Sequence, residues 1–248
     1  AVGKYGTGCI YERVRDKVLE LGGKLHLNTT IEGIVSEGKV LKQIEFSGDR
    51  VLELEADDVV ISSLPINLTA KFFGYKSQLA FRGIRSVYLA YKKESILPEG
   101  IHWLYYGSED VYFNRITESK KLSPFVAPKN QSYLTVEITY SKGDEIDVMD
   151  SELLMQRVAE QVEHVGLIGL EYLVDTSMNK EDFVYPIQYM GYQEELAKTR
   201  SVISQFQQLY SIGTGGDFNY ADSQVIFHKA FDTVSILCDK DSSYTQVI

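Results

Sequence analysis

Apolar residues recur at Ile10, Val14, Val18 and Leu21, one helical turn apart, with charges between them. That spacing predicts a helix over residues 10–21, started at Thr7 or Gly8 and ended by Gly22-Gly23. KLHLNTTIEGIV, residues 24–35, reads as a strand with Leu25, Leu27 and Ile31 apolar. KVLKQIEF and RVLELEA alternate on either side of Ser47-Gly48-Asp49 and predict a β-hairpin. DDVVISSLP, residues 57–65, is a continuous apolar run closed by Pro65, the pattern of a buried strand in a parallel sheet.

From Ile84 the pattern shortens. IRSVYLAY, HWLYY, DVYFNRI and SYLTVEITY are brief, aromatic and β-rich, and predict a mostly antiparallel sheet over residues 84–140. A helix is predicted over 151–165, starting at Ser151-Glu152, with Leu153, Leu154, Val158 and Val162 inward. Residues 166–190 are β-like, and a second helix is predicted over 192–207. The chain closes on SIGTGGDFNYADSQVIFHKAFDTV: a short strand from Leu209 to Ile212, a turn with Gly213, Gly215 and Gly216, then a helix. The fold class this implies is mixed α/β (α+β). A discontinuous domain, 1–65 with 208–248, would be joined by an inserted, mostly antiparallel domain over 66–207.

Composition narrows the function classes. The 248 residues are 44% hydrophobic and 24% charged, enough for a normal core. A net charge of -10 argues against nucleic acid and against an anionic membrane surface. Small anionic ligands stay open, because one or two arginines suffice for them. Cys9 and Cys238 lie far apart and read as free thiols of a reducing cytoplasm. His26, His102, His164 and His228 are scattered, so no metal site is expected. No apolar run reaches the roughly 18 residues of a membrane helix. The start at Ala1, directly inside a structural unit, suggests part of a longer protein or a processed form.

The closing glycines raise a further expectation. Glycines at a strand-to-helix turn let backbone N–H groups approach a phosphate, although no G-x-G-x-x-G precedes them. The ordinary alternative is that they serve turn geometry.

Five stretches in order resemble FAD-dependent flavoproteins of the amine oxidase and protoporphyrinogen oxidase-like superfamily, with features of UDP-galactopyranose mutases. They are KYGTGCIYERVRDKVLELGGKLHLNTTIEGIV, ADDVVISSLP, HWLYYGSEDVYFNRITESKKLSP, VYPIQYMGY and SIGTGGDFNYADSQVIFHKAFD. The resemblance covers almost the whole chain. It implies FAD as cofactor, a G-x-G-x-x-G segment N-terminal to this chain, and a closing turn on the far side of the FAD cradle. The cofactor-side positions it implies are Thr30, Ile31, Ser62, Ser63, Pro65, Gly213, Thr214, Gly215, Phe218, Tyr220, Asp222 and Ser223. Thr30 and Ile31 would offer a backbone pair to adenine, or be a plain core strand. Asp222 and Ser223 would cap the last helix, whose dipole would face the flavin. Pro65 alone would simply end a strand. Thr214 stands where the resembled proteins carry arginine, which removes a charge-assisted contact. The expectation is therefore that this chain alone does not retain FAD.

Arg115, within FNRITESK, is the substrate candidate, since a guanidinium suits bidentate phosphate contact; its ordinary alternative is a pair with Glu118 or Glu137. Trp103 and Tyr105, with Tyr106, would line the substrate face or pack in the core. Tyr220 would approach substrate phosphate or flavin, or be buried with its hydroxyl satisfied. No general base, paired carboxylates or catalytic triad is legible by spacing, as expected if a flavin carries the chemistry. The resemblance implies a C-terminal portion of an FAD-dependent oxidoreductase acting on a small molecule, by FNRITESK a nucleotide sugar or glycan precursor. A UDP-galactopyranose mutase-like isomerase is one alternative. A non-catalytic β-sheet interaction module without its flavin half is another. In a third, the Rossmann half is a separate chain.

Overall fold

The computed structural model describes residues 3–240. In chain order the elements are α1 (Gly8–Glu20), β1 (Ile31–Glu37), β2 (Val40–Phe46), β3 (Arg50–Glu53), β4 (Val60–Ser62), α2 (Ile66–Phe72), β5 (Phe81–Tyr91), β6 (Trp103–Tyr105), β7 (Arg115–Glu118), β8 (Ser132–Tyr140), α3 (Glu145–Val148), α4 (Ser151–His164), β9 (Leu173–Pro186), α5 (Tyr192–Ser204), β10 (Leu209–Ser211), α6 (Gly213–Asp217) and α7 (Ser223–Lys240). The fold is mixed α/β, as the pattern predicts. Among the described residues two compact units form: 3–27 with 82–182, and 28–81 with 183–240. Residues 3–27 group with the large sheet, and 66–81 and 183–207 with the parallel strands.

The first unit is built on one five-stranded sheet, ordered β6-β7-β8-β5-β9. The pairs β5–β8, β6–β7 and β7–β8 are antiparallel. Strict alternation in SYLTVEITY buries Ser132, Leu134, Val136, Ile138 and Tyr140 and leaves the residues between them half-buried. The buried face packs on Leu154, Val158, Ala159 and Val162 of α4. The cap of α4 is Asp150, whose carboxylate accepts from the N–H groups of Glu152 and Leu153, both at 3.0 Å. The helix starts at Ser151 as expected, while Leu153 faces solvent rather than the core. Arg85, buried on β5, donates to the carbonyls of Ile146 (2.8 Å) and Met149 (2.7 Å) and to Ser151 Oγ (3.0 Å). It ties the sheet to the start of α4. The stripe predicted for α1 exists, but none of its residues is buried.

The second unit holds a three-stranded meander, β1-β2-β3, and a two-stranded parallel sheet of β4 and β10. The strand predicted from residue 24 begins only at Ile31: Asn28 takes a positive φ of 52°, and Leu25 and Leu27 are exposed. The core gathers Leu41, Ile66, Ala70, Leu79, Phe81, Ile203, Phe206, Leu209 and Phe218. Buried Gln208 joins meander to parallel pair, accepting from Leu41 N–H (2.8 Å) and donating to the Glu55 carbonyl (2.9 Å). DDVVISSLP forms only three residues of strand, parallel as expected. Val59 and Ile61 are exposed at 44% and 45%, not buried, because the sheet has two strands where a covered parallel sheet needs more. The helix expected to 207 ends at Ser204.

Candidate functional site

Parallel pairing brings together candidates far apart in sequence. Val60, Ile61 and Ser62 lie opposite Leu209, Tyr210 and Ser211. The Ile212 N–H donates to the Ser62 carbonyl at 2.9 Å. Both strands then end, and Ser63–Pro65 and Gly213–Gly215 leave their carboxyl ends side by side. That is where open α/β sheets bind ligands.

The glycines have a physical task in this packing. Gly213 turns the chain at φ +83°. A Cβ on Gly215 would stand 3.1 Å from Pro65 N and 3.3 Å from the Ser63 carbonyl. One on Gly216 would stand 2.8 Å from Ser211 Oγ and 3.3 Å from the Ser62 carbonyl. Absence of side chains lets α6 lie directly on the Ser62–Pro65 segment. The expected turn therefore contains a five-residue helix, held tight by intramolecular approach. Thr214 lies in it, its carbonyl accepting from Asn219 N–H at 3.2 Å. Ser62 Oγ is bonded to Leu64 N–H (3.3 Å), whereas Ser63 is exposed.

The remaining cofactor-side candidates divide. Phe218 is 1% exposed, in a left-handed conformation (φ 53°), with its ring edge-on to Phe81 at 5.1 Å. Its side chain serves the core. Thr30 spends both backbone groups on Ser47: its N–H reaches Ser47 Oγ at 3.2 Å, and its carbonyl accepts Ser47 N–H at 2.9 Å. Ile31 follows as the first residue of β1. Tyr220 is 57% exposed rather than buried, with the Tyr185 ring 4.9 Å away. α7 begins at Ser223; the Asp222 carbonyl accepts from Val225 N–H, and its carboxylate accepts from Gln224 Nε2. An ion pair between Asp217 and Lys229 joins α6 to α7.

In the other unit, strand register assembles the substrate-side candidates. Trp103 lies opposite Thr117, Tyr105 opposite Arg115, and Arg115 opposite Glu137. Thr117 lies opposite Thr135. These six residues line one cavity of about 350 Å³ on the face away from α4. Trp103 and Tyr105 are exposed there and are not core. Arg115 Nη2 meets Glu137 Oε1 at 2.5 Å. This hydrogen bond holds the guanidinium pKa above its ordinary value, against the lowering effect of burial. Arg115 Nε, Glu137 Oε2 and Asn114 Oδ1 are buried without a protein partner. The cavity thus offers a donor, acceptors, threonine hydroxyls and two aromatic rings, with its charges closed on each other. Such a surface suits a hydroxyl-rich small molecule.

Glu118, the other expected partner of Arg115, is fully buried on the opposite side of β7. It accepts from Ile96 N–H (3.0 Å), Leu97 N–H (2.7 Å) and Ser132 Oγ (2.7 Å). Lys120 Nζ reaches four carbonyls, of Glu94, Pro128, Lys129 and Gln131, at 2.6 to 3.2 Å. Much of FNRITESK thus folds loops beside the cavity. Of the two partners the sequence offers Arg115, the structure selects Glu137. Sequence reasoning missed Thr117 and Thr135; the alternation of SYLTVEITY was the signal that could have found Thr135.

No protein-family model matches the chain, and no curated protein matches its sequence. Solved structures do. A reduced UDP-galactopyranose mutase matches with TM-score 0.80 and 19% identity, over 97% of this chain and 52% of that one. A protoporphyrinogen oxidase-like protein from Exiguobacterium sp. matches with TM-score 0.70 and 16% identity, over 93% of this chain and 51% of that one. An oxidoreductase from Methanosarcina mazei matches with TM-score 0.56 and 18% identity, over 85% and 49%. The fold is therefore that of UDP-galactopyranose mutase, protoporphyrinogen oxidase-like and oxidoreductase structures. The chain spans about half the length of each. Among the described residues no three metal-ligating side chains cluster, and no helix is long and apolar enough to cross a membrane.

Proposed function

We propose that this chain is the C-terminal portion of an FAD-dependent oxidoreductase or mutase acting on a small molecule, with a nucleotide sugar or glycan precursor as the substrate class. Its place would be the cytoplasm. One observation carries the reading: Ser62–Pro65 and Gly213–Gly215 meet at the carboxyl ends of two parallel strands, where a dinucleotide cofactor is held in folds of this class. The group fits there through backbone rather than charge. Ser63, Pro65, Gly213, Thr214 and Gly215 would flank it. Ile31, Tyr220, Asp222 and Ser223 are further candidates; Ser62 would contribute its strand end. FAD, when bound, would supply the redox chemistry. The chain's own task is positioning, with Trp103, Tyr105, Arg115 and Glu137 holding substrate on the sheet face.

The test is a visible absorption spectrum after FAD loading and desalting, taken on this chain and on the complete gene product. The chain alone is expected to lose the flavin band, because Thr214 offers no guanidinium and half of the neighbours' length is absent from it. The complete product is expected to keep it. A complete product that never retains flavin would overturn the reading and favour the interaction module.

A further inference from the structure

The sheet face that carries Trp103, Tyr105 and Arg115 continues beyond their cavity. Thr135 of β8, which lines that cavity, lies directly opposite Tyr88 of β5. Two residues back along β8, Tyr133 lies opposite Ala90. Tyr88, Ala90 and Tyr133 line a second cavity, of about 390 Å³. Opposed side chains on one face of a sheet stand roughly 5 Å apart, so the two cavities meet at the Thr135–Tyr88 pair. Burial first, and then the Tyr133 phenol and the Glu137 carboxylate, hold the Tyr88 hydroxyl above its ordinary pKa; Tyr88 thus feels a group of each cavity. One wall of the second cavity is the loop of residues 126–131. Lys120 fixes that loop by donating to the carbonyls of Pro128 (2.8 Å), Lys129 (2.7 Å) and Gln131 (2.6 Å). The other wall is β9, which supplies Asp175, Thr176 and Ser177.

We propose that this face binds a neutral oligosaccharide of at least two sugar units, one beside Trp103 and Arg115 and the next between Tyr88, Tyr133 and Asp175. Charge selects the ligand class. In the first cavity the one cation, Arg115, is closed on Glu137, and the second is lined by no lysine or arginine. An anionic group gains little there. Phenol rings cover the C–H faces of a sugar, while hydroxyls, an amide and a carboxylate bind its hydroxyl groups. The side chains of Gln131, Tyr133 and Ser177 have no hydrogen-bond partner among the described residues, which leaves them for a ligand. Size selects the length. Each cavity lies near the low end of the range for small-molecule sites, roughly 300–1,000 Å³. β7 and β5, on either side of β8, are roughly 10 Å apart, so a ligand touching both floors exceeds one sugar ring. The inference rests on the reading of the substrate as a glycan precursor, and not on the flavin.

Trp103 is the single tryptophan of the chain, so its fluorescence reports occupancy of the first cavity. The experiment titrates the chain with neutral mono- and disaccharides of glucose, galactose and mannose, and separately with UDP, reading Trp103 emission and heat of binding. At least one disaccharide is expected to shift the emission and to bind on the order of tenfold or more tightly than its monosaccharides. Tyr133→Ala should bring that disaccharide down to monosaccharide affinity and leave the monosaccharide response of Trp103 unchanged. Should that variant misfold, Asp175→Asn, at an exposed position, should weaken the disaccharide in the same selective way. No saccharide binding, equal affinity for mono- and disaccharides, or a disaccharide preference that survives the folded variants would each overturn the proposal. A response to UDP alone would overturn it and keep the nucleotide-sugar reading. A complete product that retains no flavin but prefers disaccharides would fail the cofactor reading only.

Discussion

Arg115 and Glu137 stand opposite each other on adjacent strands, Nη2 to Oε1 at 2.5 Å, while Arg115 Nε and Glu137 Oε2 remain buried without protein partners. A pair closed in this way presents little net charge, while a third of the Arg115 side chain stays exposed in the cavity for a ligand. Arg115→Ala in the complete protein should weaken substrate binding roughly tenfold or more while leaving flavin content unchanged. Titration of wild type and variant with candidate nucleotide sugars decides it; equal affinities would remove Arg115 from the site.

Glu118 should matter for stability rather than for binding. Its buried carboxylate accepts three hydrogen bonds, and no water replaces them at that depth. Glu118→Ala should cost about 3 kcal/mol, seen as a lower urea midpoint. A midpoint indistinguishable from wild type would show that the loop at Ile96–Leu97 holds by other means.

Acid stability should depend on Asp147. Hydrogen bonds from Lys180 Nζ first, and from Gly143 N–H, lower its pKa to about 2. Its ordinary value is near 4. The folded state therefore binds the proton less readily than the unfolded state. The stabilisation is complete above about pH 4 and disappears as the pH falls through about 2. Lys180→Met should flatten the stability profile within that window and leave the slope above about pH 5 unchanged. Urea midpoints measured across the acid range test this, and a parallel shift at every pH would refute it.

Gly215→Ala tests whether the glycines serve packing. A Cβ would press on Pro65 and Ser63 backbone at 3.1 to 3.3 Å. The variant should lose about 1–3 kcal/mol in the isolated chain, with no FAD present. Unchanged melting, combined with lost flavin in the complete protein, would instead assign the glycine to the cofactor.

Helices and antiparallel strands were legible because their periods are local: Leu154, Val158 and Val162 stand on one face by spacing alone. The late start of β1 was not, because residues 24–35 read as one continuous strand. Asn28, with its positive φ, carries the break, yet asparagine also occurs in ordinary loops. Arg115, Trp103 and Tyr105 were singled out from their motif, and strand register brings them to one cavity. Choosing Glu137 over Glu118 as the partner of Arg115 was harder: it depends on which strand lies beside β7, and pairing partners are not written in either strand. Phe218 was placed toward the cofactor by the resemblance of its motif; its ring lies in the core against Phe81.

Lys120 shows how much a single surface-derived residue can be withdrawn from chemistry. Its ammonium is ringed by four carbonyl oxygens, more acceptors than it has hydrogens. Those bonds tie the side chain to the loops around it, so amine-reactive reagents should label it slowly unless that ring opens. Its rate of labelling then becomes a clock for the opening of the loops on either side of β7.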